Sequence, residues 1–384
     1  MSNTRRKITI TFSLLLLLSA CFLCWTGWAI DERTAAGSLA ESLATQNSAG
    51  LPQAAQPGQG AGPQSPANET GPLFRVTIDG KVGYIDRTGK MVIPLQYEAA
   101  RGFSEGLALV NTGGKWGYID KTGQMVISPQ YSDDIFSFSE GLAAVKTGGK
   151  WGFINKAGQM VIPSQYSEAY FFSEGLAIVK TGGKYGYIDK TGRMVISPQY
   201  DKAKPIVFSM FSEGLALARL GGKYGYIDKT GQMIIPPQYT DAFGFSGGLA
   251  AVEPVRPGKW GYIDKTGQMV IPLQYSDANT FSEGLAAVQG PMSDKWGYID
   301  KIGQLVIPPQ YEVAGGFSEG LAAVQLPMSD KWGFIDKTGK MVIPPQYYNY
   351  FSPAFSDGLA FVTVGDRKWG YIDKTGKYVW RPTK

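Results

Sequence analysis

The chain has 384 residues, of which 43% are hydrophobic, with 50 glycines and 23 prolines, a composition suited to many short strands and tight turns. Its formal charge is +5, and leaving out Arg5, Arg6 and Lys7, which precede an apolar run, gives +2 for everything downstream, too near neutral for a nucleic-acid partner or a polybasic membrane surface. Histidine is absent and both cysteines, Cys21 and Cys24, fall within the first thirty residues, which excludes Ser-His-Asp and Cys-His catalysis, the usual zinc ligands, and any disulfide further along.

Arg5-Arg6-Lys7 followed by the apolar run Ile8 to Leu18 has the charged and hydrophobic regions of a secretory signal. Leu18-Ser19-Ala20-Cys21 resembles the lipobox of bacterial lipoproteins, which makes Cys21 a lipidation candidate. The apolar character continues to Ile30, so an uncleaved signal-anchor helix is the alternative. Residues 1–30 are therefore expected to be a signal peptide or membrane anchor. Either way the remainder is tethered on the outer side of a membrane, in the bacterial periplasm or at the surface, because the basic residues stay in the cytoplasm. Residues 31–71 change to Ala, Gly, Gln, Ser and Pro without apolar periodicity and read as a disordered linker, roughly 30 to 40 Å end to end.

From residue 72 to 384 one phrase recurs. Counted at its aromatic position, Val82, Trp116, Trp151, Tyr185, Tyr224, Trp260, Trp296, Trp332 and Trp369, the steps are 34, 35, 34, 39, 36, 36, 36 and 37 residues. A period of this size marks a repeat architecture of about nine units, each unable to bury its apolar face alone. In the unit 141–166, Leu142-Ala-Ala-Val145 and Trp151-Gly-Phe-Ile-Asn155 flank a Gly148-Gly149 hairpin, and Met160-Val-Ile162 follows a turn written Asp-Lys-Thr-Gly in most copies. The period predicts a three-stranded antiparallel meander, with Pro163 ending the third strand. Trp151 and Phe153 face one way and Ile154 the other, so each meander is expected to lie between its neighbours. Gly152, opposite the rings, suggests close backbone approach from the next unit.

These residues, Lys-Trp-Gly-Tyr-Ile-Asp-Lys-Thr-Gly followed by Met-Val-Ile-Pro-Pro-Gln-Tyr and Phe-Ser-Glu-Gly-Leu-Ala-Ala-Val, resemble the WG-repeat (KWG) family of bacterial proteins over about residues 73 to 381. The resemblance implies tandem β repeats with no established enzymatic residues. Departures fall at Val82, Tyr185 and Tyr224 in place of Trp, at Gly247 in place of Glu, and at Trp380-Arg381 in place of Ile-Pro. Nine meanders in one frame leave no strand over to close a ring, so the expected fold is all-β, stacked as an open curved array with altered end units. A closed propeller-like ring is the alternative.

Catalysis calls for a singular constellation, whereas the acidic residues here are copied from unit to unit. Asp120, Asp189, Asp228, Asp264, Asp300, Asp336 and Asp373 share one turn position, where a carboxylate satisfies backbone amides. Glu105, Glu140, Glu174, Glu213, Glu283 and Glu319 precede a turn glycine and read as solvated. No enzyme, cofactor or metal is expected. Trp116, Trp151, Tyr185, Tyr224, Trp260, Trp296, Trp332 and Trp369 read as structural anchors. Copies differ in two zones. One connects successive units (132–137, 201–210, 240–244 and 348–354), and the other precedes the Lys-Trp-Gly phrase (253–258, 290–294 and 326–330). Phe208, Met210, Tyr348, Tyr350 and Phe351 in the connectors are the candidate contact residues. The sequence thus predicts an envelope-tethered, non-enzymatic scaffold binding a protein or peptide. The alternative is a carbohydrate or cell-wall binding module using exposed rings.

Overall fold

The computed structural model describes residues 71–381 apart from 133–134, 202–209, 291–292, 350 and 366–367. The expected N-terminal helix, Cys21 and the linker lie outside the described residues, among which no helix is long and apolar enough to cross a membrane. The regular structure described is nine antiparallel sheets, six of four strands and three of three. They form the blades of a nine-bladed propeller, spanning 74–97, 99–131, 142–166, 168–200, 215–239, 241–275, 277–311, 313–347 and 355–380.

Blade 2 shows the full pattern: Ala99–Ser104, Leu107–Thr112, Lys115–Asp120 and Met125–Tyr131, side by side in chain order. The last three are the predicted meander. The first is a strand that the three-stranded reading lacks, because a register shift between Ala100 and Phe103 interrupts its alternation. In blades 3 and 5 it is reduced to isolated bridges such as Ser139 to Leu142 and Ser212 to Leu215. Gly148 and Gly149 turn the hairpin at φ of 57° and 75°, as paired glycines in a tight turn do.

The last strand of each blade does not stop at its proline. In blade 3 it runs from Met160 to Tyr166, with Ile162 opposite Phe153 and Tyr166 opposite Trp151. Three residues thus bulge outward against the single residue Gly152. A β-carbon on Gly152 would lie 2.5 Å from the Ile162 carbonyl oxygen. The close approach predicted at this glycine is real, but it comes from its own sheet and not from the next unit.

Eight apolar clusters occupy the interfaces between consecutive blades. Trp151, Phe153, Ile162 and Tyr166 of blade 3 pack on Phe172, Ala177, Val179 and Ile188 of blade 4. Ile154, pointing the other way, belongs to the cluster shared with blade 2. Three contacts recur from interface to interface. A third-strand Tyr or Phe meets a first-strand Phe of the next blade, as Tyr84 meets Phe103 at 4.9 Å and Phe334 meets Phe355 at 5.0 Å. Its hydroxyl, where present, donates to a backbone carbonyl of that blade, as from Tyr118 to Phe136 at 2.7 Å. A serine ties neighbouring first strands, as from Ser104 Oγ to the Phe138 carbonyl at 2.7 Å and from Ser318 Oγ to that of Phe355 at 2.7 Å. These links draw the sheets together at their first strands, the narrow side of the fan, while fourth-strand residues such as Met125 and Val126 are exposed at the perimeter.

The array is closed, against the open stack expected. Tyr371 of blade 9 donates its hydroxyl to the Arg75 carbonyl of blade 1 at 3.0 Å, and its ring meets Phe74 at 5.4 Å. Asp357 pairs with Arg87 at 3.7 Å, and the Val379 carbonyl lies against Gly89. Among the described residues no strand is shared between blades 9 and 1. Closure rests on packing of faces, so the absence of a spare strand carried no information about it. Blade 1 has no first strand among the described residues. Phe74 stands where the other blades place an alanine, such as Ala108 or Ala360 opposite the same isoleucine position. Its ring supplies the apolar volume that a first-strand Phe supplies elsewhere. Phe74 thus serves the junction with blade 9, whereas Val82, the departure noted in the first unit, is buried between blades 1 and 2.

Candidate interaction surface

Strand direction sorts the turns onto two ends of the propeller. The Ser-Glu-Gly and Asp-Lys-Thr-Gly turns occupy one end. The Gly-Gly hairpins and the blade-to-blade connectors occupy the other, so both variable zones share a single surface.

The conserved-pattern end is held by side chains acting on backbone. Asp120 Oδ1 accepts from Thr122 N at 2.9 Å, Thr122 Oγ1 at 2.6 Å and Gln124 N at 3.0 Å. The Thr230 hydroxyl, followed by backbone amides, holds the Asp228 carboxyl below its ordinary range. The glutamates expected to be solvated are latches. Glu174 Oε2 accepts the Gly214 amide at 3.0 Å and pairs with Lys229 at 3.0 Å, both in the next blade. Glu213 does the same with Gly248 at 3.0 Å and Lys265 at 3.2 Å.

The variable end carries exposed apolar side chains of its own, besides those of the perimeter. Leu220, Val255, Leu326, Met328, Tyr348 and Phe351 are all exposed there, Met328 completely and Phe351 to 51%. Apolar side chains exposed at one end in this way are candidate contact residues. The loops presenting them are pinned. Asn349 accepts from Trp332 Nε1 at 2.9 Å through its carbonyl and from Thr363 N at 2.6 Å through its side chain, whose amide donates to the Phe361 carbonyl at 3.0 Å. Lys331 Nζ lies 5.0 Å from the Tyr348 ring centre. Around Val255, the Glu253 carboxylate accepts the Gly258 amide at 2.8 Å, and Arg256 reaches the buried Asp241 at 3.5 Å.

Of the predicted contact residues, Tyr348 and Phe351 are on this surface. Met210 is not: it is buried with Phe211 between blades 4 and 5. Phe208 and Tyr350 lie outside the described residues. Leu220, Val255, Leu326 and Met328 were missed as individuals, although all but Leu220 sit in the variable zones and their signal was an apolar side chain among turn formers. Of the anchors, Trp151, Tyr185, Tyr224, Trp260 and Trp332 are buried, and Trp116, Trp296 and Trp369 are half-buried.

One cluster of titratable groups stands apart from the repeat. Glu168 accepts from Lys180 at 2.6 Å, Tyr185 at 2.7 Å and Tyr170 at 3.0 Å. Burial opposes its charge, but these three donors outweigh it and hold the carboxyl below its ordinary range. Tyr170 and Tyr185 are pushed up by burial and by that carboxylate, which makes them hydrogen-bond donors and not bases. Among the described residues no group of three or more His, Cys, Asp or Glu side chains could hold a metal ion.

Eight consecutive segments, 83–116, 116–151, 151–185, 185–224, 224–253, 260–289, 296–326 and 332–367, match the family described as WG containing repeat. The chain belongs to the WG-repeat family. Comparison with curated protein sequences gives no match. Among solved structures, this WG-repeat chain is similar to BamB from Moraxella catarrhalis, with 11% identity, 71% of this chain and 98% of that one covered, and a TM-score of 0.42. It is similar to dihydro-heme d1 dehydrogenase NirN in complex with DHE at 16% identity, 74% and 75% coverage and a TM-score of 0.42. Apo AztD from Citrobacter koseri is similar at 12% identity, 70% and 92% coverage and a TM-score of 0.40.

Proposed function

We propose that this WG-repeat propeller is a non-enzymatic scaffold that binds a protein or peptide through the variable end of its blades, held at the bacterial cell envelope by its N-terminal segment. The observation that carries the reading is the gathering of Val255, Met328, Tyr348 and Phe351, exposed on pinned loops, at one end of a framework whose other end hardly varies. Pinned loops lose little freedom on binding, which favours affinity from a modest apolar patch. The carboxylates support a structural role, since they are spent on turns and latches copied along the chain. A carbohydrate-binding reading needs rows of open rings, and five of the eight anchor rings are buried. Export and outer-side tethering rest on residues 5–30 and belong to the same proposal.

The test compares capture from envelope extract by the full chain and by a Val255→Ser, Met328→Ser, Phe351→Ser variant with unchanged circular dichroism, alongside a glycan and peptidoglycan array. A protein retained by the first and lost by the second is expected. Equal retention by both, or binding only to glycan, would overturn the reading.

A further inference from the structure

At six blade junctions a glutamate carboxylate receives the same two donors from the next blade, a turn glycine amide and a turn lysine. The pairs run from Glu105 with Gly141 at 2.9 Å and Lys156 at 3.3 Å to Glu319 with Gly358 at 3.1 Å and Lys374 at 3.0 Å. Between blades 6 and 7 the glutamate position is Gly247, so the carboxylate is missing. Both donors remain. Neither the Gly284 amide nor the Lys301 ammonium has a hydrogen-bond or ion-pair partner among the described residues. Lys301 Nζ lies 3.3 Å from where a β-carbon of residue 247 would stand, directed into the vacated place.

A second departure falls beside the first. The threonine of the Asp-Lys-Thr-Gly turn is Ile302 in this copy, 77% exposed, while Asp300 still holds the turn through the amides of Ile302 at 3.1 Å and Gln304 at 2.8 Å. An exposed branched apolar side chain therefore stands next to an ammonium and an amide without an acceptor. The junction between blades 1 and 2 also lacks the glutamate, but there Lys121 donates to the Gly71 carbonyl at 3.3 Å, so its donor is used.

We propose that the blade 6 to blade 7 junction is a carboxylate-binding site, filled by an acidic side chain of a partner polypeptide whose neighbouring apolar side chain covers Ile302. The six filled junctions show that this pair of donors accepts a carboxylate, and charge-assisted bonds are the stronger kind. The site is on the end of the propeller opposite the variable loops, so it stands independently of the interaction surface described above.

The test follows the Gly284 amide by NMR of the full chain in detergent, labelled with nitrogen-15 glycine. The probes are acetate, a capped Glu-Leu dipeptide and a capped Gln-Leu dipeptide. The Gly284 signal is expected to titrate with Glu-Leu and more weakly with acetate, while Gln-Leu binds about tenfold more weakly or not at all. Lys301→Met is expected to weaken Glu-Leu about tenfold. Gly247→Glu, which supplies the missing carboxylate in cis, is expected to abolish binding. The Gly320 amide, already bound to Glu283 at 3.0 Å, should not move. A Gly284 signal unmoved by both carboxylates, parallel movement of Gly320, or undiminished binding in Lys301→Met would overturn the site. Equal affinity for acetate and Glu-Leu would overturn its assignment to a polypeptide.

Discussion

The Tyr371 hydroxyl donates to the Arg75 carbonyl across 296 positions of sequence, and this bond does directly what other junctions do through a first strand. Between blades 2 and 3, Tyr118 donates to the Phe136 carbonyl at 2.7 Å and the Phe136 amide donates to the Ala144 carbonyl at 3.0 Å. Arg75 is the counterpart of Ala144, each lying opposite the third-strand aromatic of its own blade. With no intermediate strand among the described residues, the tyrosine reaches the far partner itself. Tyr371→Phe should lower stability by about 1 kcal/mol, the net worth of one hydrogen bond. Phe74→Ala should cost more, though less than the ~3–5 kcal/mol of a fully buried Phe, because Phe74 is only half-buried. Denaturant midpoints check both. An unchanged midpoint in Phe74→Ala would mean that the ring is not held at this junction.

Gly152→Ala should destabilise by several kcal/mol, since the new β-carbon meets the Ile162 carbonyl oxygen at 2.5 Å and rigid backbone must move. Gly149→Ala is the informative comparison. Nothing crowds a β-carbon there, and its cost comes only from a φ of 75°, about 1 to 2 kcal/mol. Thermal melts should rank Gly152→Ala well below Gly149→Ala.

The glutamate latch can be dissected at Glu213. The residue sits at φ of 55°, a left-handed conformation that costs a β-carbon about 1 to 2 kcal/mol. Its carboxylate offsets this by accepting Gly248 and Lys265. Glu213→Ala keeps the strain and loses the acceptor, and should cost about 1 to 2 kcal/mol. Glu213→Gln keeps an acceptor and loses the charge, and should cost less than about 1 kcal/mol because the pair is partly exposed. Equal losses in urea titrations would show that charge dominates.

Acid should loosen the turns. The carboxyls of Asp189, Asp228, Asp264 and Asp336 are held below 3.8, first by a threonine hydroxyl and then by backbone amides. Because the folded value is the lower one, their contribution is complete above the ordinary value and drains as pH falls through the lowered values. Urea midpoints should therefore hold steady in mildly acidic buffer and drop below about pH 4. Thr230→Val should blunt that drop, and an identical acid profile in this variant would refute the role of the hydroxyl.

Much of this was readable from residues. The period gave the number of units, the glycine pairs gave the hairpins, and alternation assigned Trp151 and Ile154 to opposite interfaces. The first strand was hidden because its bulge breaks the alternation by which strands are recognised. Closure was hidden because it depends on the small rotation between successive blades, which no single residue encodes. Phe74, a bulky residue where blades 2 and 9 carry Ala108 and Ala360, was not singled out among the departures although the substitution is plain in the sequence. The latch role of the glutamates was missed because their partners lie a whole repeat away, as Gly141 does from Glu105 with a separation of 36. Loop residues proved the least legible. Met210 turned inward beside Phe211 although it lies in a variable connector.

Among the described residues the seam joins four-stranded blade 9 to three-stranded blade 1 without a strand shared between them. A genetic event that duplicates or removes one whole repeat would therefore leave the remaining described ladders whole and require only that the two end faces meet at a slightly different angle. Propellers that close by strand exchange lack this freedom, because their first and last segments must share a sheet. Here the circumference itself is open to evolutionary adjustment, and the near-identity of neighbouring blades is what such a history of copying would leave behind.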